Sequence, residues 1–401
     1  MDDSQALPWL ARPGARSWAR AGSAPVRDGE VRAYHASLPG YAPTPLAEIP
    51  ALAAELGAGR VFVKDESARL GLPAFKVLGA SWAVRQVLAG HGPHGAAPPP
   101  GLAGLRALAD GWPDLILVTA TDGNHGRAVA RMARLCGVPA RVFVPAVTEP
   151  GTRAAIAGEG AAVVQVAGGY DDAVAAARQW AAGQPGSALI QDTAWPGYEQ
   201  VPGWIVEGYS TLFAELDTQL AAAGAGSPAL VAVPVGVGSL AQAAVVHYRS
   251  AAKRGGATTK GCPGRGQNSA PREPSSVTAV LSVEPVTAAC LLASLRAGAP
   301  VTVPTANTIM TGLYCGTVSS VAWPVLAGGL DAAIAVTDDE ACRAAADLGA
   351  AGISSGPSGA ASLAGARAAL TGDGSGERRS FLGVDSASVI VLLNTEAATS
   401  G

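Results

Sequence analysis

"LILVTATDGNHGRAVA", residues 115–130, decides the fold prediction. It begins with a short apolar run, 115–121, which is followed by the turn 122–124 and an alanine-rich segment that starts near His125. A continuous apolar run of this length is typical of a strand that is buried on both faces of a parallel sheet. The stretch therefore predicts one strand–turn–helix unit of an α/β protein.

The same unit recurs along the chain. Further apolar runs rich in Val and Ile begin at positions 60, 140, 161, 188, 229, 277, 331 and 388. The segments between them predict helices, for example at 125–136, 171–182 and 238–249. This alternation predicts mostly parallel, twisted sheets with right-handed crossovers. About nine strands are too many for one sheet, so we expect two α/β domains.

Composition excludes several classes of protein. The chain has 401 residues, of which 49% are apolar, and a net charge of −3, which gives no sign of nucleic-acid binding. No apolar stretch approaches the roughly 20 residues of a membrane span. The start, "MDDSQALPWL", lacks the basic-then-apolar pattern of a signal peptide. We expect a soluble, cytoplasmic protein without a membrane or nucleic-acid partner.

The cysteines indicate no disulfide framework and no metal site. There are five of them, an odd number without a CxxC pair: Cys136, Cys262, Cys290, Cys315 and Cys342. Most are expected to be reduced thiols in apolar surroundings. Whether Cys262 and Cys290 meet in space is left open.

A lone lysine raises the question of function. In "PAFKVLGA", residues 73–80, Lys76 lies between Phe75 and Val77, with no charged residue within five positions on either side. Either its stem is buried and the amine reaches water, or the amine itself is used. A lysine in an apolar pocket can have a depressed pKa and form a Schiff base.

Two turns are candidate anion sites. In "ALVAVPVGVGSLAQAA", 229–244, Gly236 and Gly238 let the backbone wrap a phosphate, and Ser239 adds a hydroxyl. That motif lacks the Lys of a Walker A loop and the third glycine of a dinucleotide fingerprint, so alone it also fits a plain turn. In the turn 122–124, backbone N–H groups at a helix start suit a carboxylate. Asp122 is either the N-cap of that helix or a group that transfers protons.

An imine-forming lysine, a phosphate turn and a carboxylate site are together what pyridoxal phosphate and an amino-acid substrate need. The chain also resembles the diaminopropionate ammonia-lyase family, which belongs to the fold type II, tryptophan-synthase-β-like enzymes that use this cofactor. The resemblance covers about residues 40–396 and rests on these motifs: "YAPTPL" (41–46), "VKDESARLGLPAFKVLGA" (63–80), "TATDGNHGRAVA" (119–130), "QDTAWPGYE" (191–199), "PVGVGSLAQA" (234–243), "SVEP" (282–285), "TIMTGLYCGTVS" (308–319) and "LLNTE" (392–396).

The resemblance implies a role for each matching position. Lys76 would carry the cofactor, Asn124 would bond its phenolic oxygen, and Thr395 would face its pyridine nitrogen. Asp122 and Asp192 would face the substrate. The substrate carboxylate would lie at Thr121, Gly123 and His125, although His125 is more readily explained as a helix-start residue. The phosphate would be held by Gly236, Val237, Gly238, Ser239 and Leu240.

The resemblance also implies a domain organisation. A larger cofactor-binding domain would comprise 1–85 and 200–401, and a smaller domain would comprise 86–199. The cofactor would lie in the cleft between them, and two copies would form a homodimer. Segments 91–103 and 253–276 are predicted loops, and the second is interpreted as an insertion.

Asp122 carries the most information about the reaction. Related serine and threonine dehydratases usually have Ser at this position, whereas a carboxylate here could accept a proton from the face opposite Lys76. Such an enzyme could act on both D- and L-substrates. Asp192 could pair with the substrate's second ammonium, or be a helix cap or a structural ion pair. A hydroxyl at Thr395 would make the ring a weaker electron sink, unless this is only a buried threonine.

One segment departs from the family. "SSGPSGAA", 354–361, has Pro357 where the family has an acid, so we treat it as structural. The predicted function is elimination of 2,3-diaminopropionate to pyruvate and ammonia. The alternatives are a serine/threonine-type dehydratase, a racemase, a lyase for a related β-substituted amino acid, a β-replacement synthase, or a binding protein that kept the fold.

Overall fold

The computed structural model describes residues 8–18, 28–91, 101–254 and 277–398. Eleven strands form within these ranges, and nine of them are the predicted apolar runs. In chain order the strands are β1 (Trp9–Ala11), β2 (Leu46–Glu48), β3 (Arg60–Asp65), β4 (Ile116–Ala120), β5 (Ala140–Pro145), β6 (Ala162–Val166), β7 (Ser187–Leu189), β8 (Leu230–Pro234), β9 (Ala279–Pro285), β10 (Ala332–Val336) and β11 (Val389–Asn394).

The strands form two sheets, as predicted. One has seven strands in the order β1-β10-β9-β8-β11-β3-β2, and the other has four in the order β6-β5-β4-β7. All neighbours are parallel except β1 with β10 and β2 with β3. The central strands β8, β9 and β10 are buried at every residue, which explains their continuous apolar runs.

Helices cover both sheets. They are α1 (Asp28–Ala36), α2 (Pro50–Glu55), α3 (Lys76–His91), α4 (Gly101–Asp110), α5 (Asn124–Cys136), α6 (Pro150–Gly158), α7 (Tyr170–Ala182), α8 (Gln200–Gly208), α9 (Ser210–Ala222), α10 (Ser239–Arg254), α11 (Cys290–Ala297), α12 (Trp323–Gly329), α13 (Asp338–Ala350), α14 (Pro357–Leu370) and α15 (Ser375–Leu382).

Several expectations need correction. The strands β1 and β2 were not predicted, because each has only three residues and lies at an antiparallel edge of the larger sheet. Residues 101–103 begin α4 and 253–254 end α10, so these ends of the two predicted loops are helical. Residues 92–100 and 255–276, including Cys262, lie outside the described residues. The predicted domain boundary at 85/86 falls inside α3.

The described cysteines are all free thiols. Cys136, Cys290 and Cys315 are buried, whereas Cys342 is exposed. Cys290 begins α11 after a short 3₁₀ turn, rather than following a strand end directly. The question of a pairing with Cys262 falls outside the described residues.

The loop 66–75 joins β3 to α3. A closed group of charges anchors it, which we call the buried ion cluster: Lys64, Glu66, Arg69 and Glu215. Arg69 pairs with Glu66 and with Glu215, at 2.6 Å in both cases, and Lys64 Nζ donates to Glu215 at 2.8 Å. The four side chains are at most 3% exposed. Two positive and two negative charges therefore compensate each other just before the chain reaches Lys76.

Candidate active site

One cavity lies where the carboxyl ends of strands from both sheets meet. It has a volume of about 710 Å³, including its open mouth. A cleft at this edge is where open α/β proteins commonly bind ligands. Most of the predicted site residues line it, namely Lys76, Thr121, Asp122, Asn124, His125, Asp192, Gly236, Val237, Gly238, Ser239, Leu240 and Thr395.

Lys76 is the first residue of α3, and its amine is directed into the cavity. Its Nζ donates to Asp192 Oδ2 at 2.6 Å and lies 5.6 Å from the ring centre of Phe75. Burial alone would lower the pKa of Lys76, but Asp192, Tyr209 and Asp122 together raise it above its ordinary value. The pKa of Lys76 is therefore not depressed in this arrangement, because the negative charges outweigh burial.

Asp192 is held on both oxygens. Besides the bond from Lys76, its Oδ1 accepts a hydrogen bond from the Tyr170 hydroxyl at 3.1 Å and one from Gln191 Nε2 at 3.3 Å. Burial alone would raise the pKa of Asp192, but His125, Lys76 and these hydrogen bonds hold it well below its usual range. Asp192 is thus a stable carboxylate, and its present partner is Lys76 itself.

Asp122 faces the same cavity in a different electrostatic setting. Burial raises the pKa of this carboxyl to about 7; Lys76 opposes the rise, and Asp192 adds to it. The alternative of a helix cap is not seen, because Gly123 occupies the N-cap position of α5 and no side chain bonds there. A carboxyl that titrates near neutral pH can both accept and return a proton.

In the turn after β4, some of the hydrogen-bonding groups are already paired with other groups of the protein. Gly123 does not line the cavity, and its N–H donates to Thr121 Oγ1 at 2.9 Å. His125 Nε2 donates to the Ile190 carbonyl at 2.8 Å, so its Nδ1 faces Asp192 Oδ2 at 3.9 Å. Burial lowers the pKa of His125, although Asp192 acts in the opposite direction. Of the three predicted carboxylate contacts, the structure brings Thr121 and His125 to the wall.

The glycine turn connects β8 to the N-terminus of α10. Gly238 has a φ of +99°, a backbone conformation that favours glycine. A Cβ at Gly236 would lie 3.1 Å from Cys315 Sγ, so the turn passes tightly beneath the cavity wall. The Ser239 hydroxyl donates to the Asp192 carbonyl at 3.0 Å, which links the turn to the acid.

Sequence reasoning missed part of the wall. Tyr170, Cys315, Ser358 and Glu396 all line the cavity. Asn124 Nδ2 donates to Glu396 Oε2 at 2.7 Å. Glu396 lies two residues after the end of β11, within the motif "LLNTE".

The segment treated as structural also reaches the wall. Pro357 occupies the first position of α14, which suits a residue without an N–H. Ser358 follows it, is buried and lines the cavity. Its hydroxyl accepts a hydrogen bond from the Gly312 N–H at 3.2 Å.

Two general properties follow from the parts of the chain that the structure describes. None of their helices has the length and apolarity needed to cross a membrane. Their His, Cys, Asp and Glu side chains form no group of three or more that could hold a metal ion.

Known proteins resemble the chain over most of its length. Residues 37–384 match a family model described as pyridoxal-phosphate dependent enzyme. The diaminopropionate ammonia-lyase of Salmonella typhimurium is 35% identical over 314 residues, which cover 77% of this chain and 72% of that protein. The enzyme of the same name from Escherichia coli strain K12 is 33% identical over 298 residues, or 74% of this chain and 68% of that protein. The chain belongs to the diaminopropionate ammonia-lyase family of pyridoxal-phosphate-dependent enzymes.

Solved structures of this family confirm the fold. The Escherichia coli diaminopropionate ammonia lyase in complex with an aminoacrylate–PLP azomethine reaction intermediate has a TM-score of 0.78 at 28% identity, covering 98% of this chain and 94% of that one. The same enzyme in complex with D-serine has a TM-score of 0.79 at 28% identity, covering 97% and 93%. The predicted fold type II architecture is therefore confirmed.

The residues present fit the cofactor of the family. An amine at Lys76 and a glycine turn at a helix N-terminus line one cavity, and the turn leaves its backbone amides uncovered by side chains at Gly236 and Gly238. Amides at a helix N-terminus suit a phosphate, and the amine suits an aldehyde. The wall of this family member therefore carries groups that suit both ends of pyridoxal phosphate.

Proposed function

We propose that the protein catalyses α,β-elimination of D- and L-2,3-diaminopropionate to pyruvate and ammonia. One observation carries the proposal: Lys76, the glycine turn and two carboxylates of different ionisation line the same cavity. Family membership supports the reaction type, and the relatives named diaminopropionate ammonia-lyase support the substrate. One water is consumed and two molecules of ammonia leave for each pyruvate formed.

The cofactor would be held at both ends. Lys76 would bind it covalently, and the amides of 236–240 would bind its phosphate. Asn124 and Thr395 line the wall between these points and would contact its ring. When bound, pyridoxal phosphate supplies an aldehyde that condenses with amines and a ring that withdraws electrons from the substrate's α-carbon.

Two groups would divide the proton transfers. Lys76 would take the α-proton of one enantiomer, and Asp122 would take that of the other from the opposite face. A group with a pKa of about 7 suits this work, because it is partly ionised at neutral pH. Lys76 must lose its proton before it can act as a base. Its hydrogen-bond partner, the Asp192 carboxylate, lies 2.6 Å from its Nζ.

Asp192 would select the substrate. It stays ionised, since Lys76, His125 and hydrogen bonds lower its pKa. We propose that it exchanges Lys76 for the second ammonium of diaminopropionate, a group that serine and threonine lack. Loss of that amine as ammonia completes the elimination.

The second candidate is a serine- or threonine-type dehydratase or a racemase. Threonine dehydratases are also similar to the chain; that of Corynebacterium glutamicum is 28% identical over 352 residues. The ionised Asp192 in the cavity favours a diamine over a hydroxy amino acid, because an uncharged hydroxyl does not compensate a buried negative charge.

The experiment has two arms. Borohydride reduction of the holoenzyme should abolish the cofactor's absorbance band and leave a mass adduct on the peptide containing Lys76. A pyruvate-release assay should then favour both enantiomers of diaminopropionate over serine and threonine. An adduct on another lysine contradicts the assigned attachment point, and preference for serine or threonine contradicts the assigned substrate.

We further propose that the protein is a cytoplasmic homodimer. The free thiols of Cys136, Cys290 and Cys315 support a reducing compartment. The dimer is supported only by the resemblance to the family. Light scattering coupled to size-exclusion chromatography tests it, and a mass of one chain contradicts it.

A further inference from the structure

Glu396 has no role in the reaction described above, yet it lines the cavity. Its backbone is fixed from two sides. Glu396 forms a β-bridge with Ala74, and its carbonyl accepts a hydrogen bond from the Gly356 N–H at 3.2 Å. Its neighbour Ala397 donates to the Pro73 carbonyl at 2.8 Å. The carboxyl is therefore held beside the loop that leads to Lys76.

The side chain of Glu396 has two groups of partners. Oε2 accepts a hydrogen bond from Asn124 Nδ2 at 2.7 Å. Ser358, at the N-terminus of α14, also acts on the carboxyl and lowers its pKa. Asn124 begins α5 beside the four-stranded sheet, whereas Glu396 follows β11 of the seven-stranded sheet. The contact thus joins the two halves of the cavity.

The contact also determines how the amide of Asn124 is turned. An ionised carboxylate only accepts hydrogen bonds, so it must face the NH₂ group and not the oxygen of the amide. The NH₂ group has two hydrogens, and one remains for an acceptor in the cavity. Without Glu396, the amide could rotate and present its oxygen instead, which would repel another oxygen.

We propose that Glu396 is a positioning residue that holds the Asn124 amide with its NH₂ group toward the phenolic oxygen of the cofactor. This inference rests on the proposed contact between Asn124 and the cofactor. Burial raises the pKa of Glu396 above its ordinary value, although Ser358, Asn124 and Lys76 act in the opposite direction.

The test is a double-mutant cycle in the holoenzyme. Asn124→Ala and Glu396→Leu are compared singly and together by the absorbance spectrum of the bound cofactor and by the cofactor's dissociation constant. Each single variant should shift the band in the same direction and weaken binding about three- to tenfold, the worth of one hydrogen bond. The double variant should resemble Asn124→Ala alone, because one contact cannot be lost twice.

Two further variants sharpen the test. Glu396→Gln keeps an oxygen that accepts from Asn124, so its spectrum and affinity should stay within about twofold of the parent. Glu284→Gln is a matched control. Glu284 has a buried carboxyl group that accepts hydrogen bonds from the N–H groups of Leu291 and Leu292 at 2.7 and 2.8 Å, but it does not line the cavity. That variant should leave the spectrum unchanged.

Three results overturn the proposal. Additive effects in the double variant would mean that Glu396 acts independently of Asn124. If the spectrum of Glu396→Gln changes as much as that of Asn124→Ala, the charge of Glu396 matters and not the orientation of the Asn124 amide. The Glu396→Gln variant also provides a test if Glu396→Leu does not fold. An unchanged spectrum in Asn124→Ala would show that Asn124 does not contact the cofactor, and the inference about Glu396 would fail with it. The lyase assignment would not be affected, because the adduct on Lys76 tests it separately.

Discussion

Two lysines at the two ends of one loop have opposite surroundings. Lys64 belongs to the buried ion cluster, where its side chain is 0% exposed and its charge is compensated by Glu215. Lys76 begins α3 in the cavity wall, where its side chain is 20% exposed and two carboxylates act on it. The charges of the buried ion cluster compensate each other and are shielded from water. The charges around Lys76 do not cancel, and they line a cavity that a ligand can enter.

The acids of the two groups show the same contrast. Burial would raise the pKa of Glu215, but Arg69 and Lys64 lower it to about 2. In the cavity, burial raises the pKa of Asp122 to about 7. The buried ion cluster therefore contributes stability at neutral pH, whereas the raised pKa of Asp122 costs stability as the pH rises from about 4 to about 7. Compensated buried charges stabilise the fold, whereas uncompensated charges in a cavity can take part in a reaction.

Replacing the cavity lysine should have the largest effect. Lys76→Ala should lower the rate of elimination by more than about 10⁴-fold, because both a general base and the covalent attachment are lost. Thermal unfolding should shift downward, since the buried Asp192 carboxylate loses the ammonium that compensates it. A pyruvate assay and calorimetry on the same preparation check this. Retained turnover would contradict the assignment.

Asp122→Asn should lower elimination of one enantiomer by about 10²–10⁴-fold, the usual contribution of a general base. In the parent enzyme, the rate with that enantiomer should fall about tenfold per pH unit below 7, because the pKa of Asp122 is raised to about 7 and the base must be ionised. Separate assays of D- and L-diaminopropionate from pH 5 to 9 measure both effects. Equal losses with both enantiomers would rule out two opposed bases.

Removing one partner of the buried ion cluster should affect stability rather than specificity. Arg69→Met leaves Glu66 and Glu215 without their main partner, which should cost about 3–5 kcal/mol of unfolding free energy. Urea denaturation measures this loss. The ratio of activity on D- and L-substrates in the folded fraction should stay unchanged, and an altered ratio would show that the cluster acts on the cavity.

Acid should weaken the same cluster through Glu215. Its folded pKa of about 2 lies below the ordinary value of 4.5, so its contribution is present above pH 4.5 and is lost as the pH falls toward 2. The difference corresponds to about 3 kcal/mol. Glu215→Gln should therefore show a smaller loss of unfolding free energy over this range than the parent, and parallel curves would contradict the assigned pKa.

We expect the smallest effect on stability from the exposed ion pairs of Arg367. Arg367 contacts Glu55 at 2.6 Å and Asp347 at 2.7 Å, with side chains that are 23%, 40% and 52% exposed. Arg367→Gln should change the unfolding free energy by no more than about 1 kcal/mol. A larger loss, measured in the same urea series, would show that exposure is a poor guide to what an ion pair contributes here.

The sequence predicted the strands that are buried on both faces, because burial leaves a continuous apolar run. It could not predict β1 and β2, whose pairing with β10 and β3 is settled by contacts distant in the chain. Lys76 and the glycine turn were found because each is unusual within its own few residues.

Other parts of the site could not be found locally. Glu396 becomes part of the wall only when the end of β11 meets the start of α5, and Tyr170 only when α7 packs beside Asp192. The raised pKa of Lys76 could not be predicted for the same reason, since Asp192 is distant in sequence but 2.6 Å away in space. Spatial neighbours, not sequence neighbours, decide these properties.

All four strands of the smaller sheet come from one uninterrupted stretch of chain, 116–189, with Asp122 just after its first strand and Asp192 just after its last. Both acids therefore travel together on a single gene segment, whereas Lys76 and the glycine turn lie outside it. A recombination event with one crossover on each side would exchange the two acids together with Asn124, while Lys76 and the glycine turn stayed in place. Changes of substrate in such a scaffold need not accumulate residue by residue.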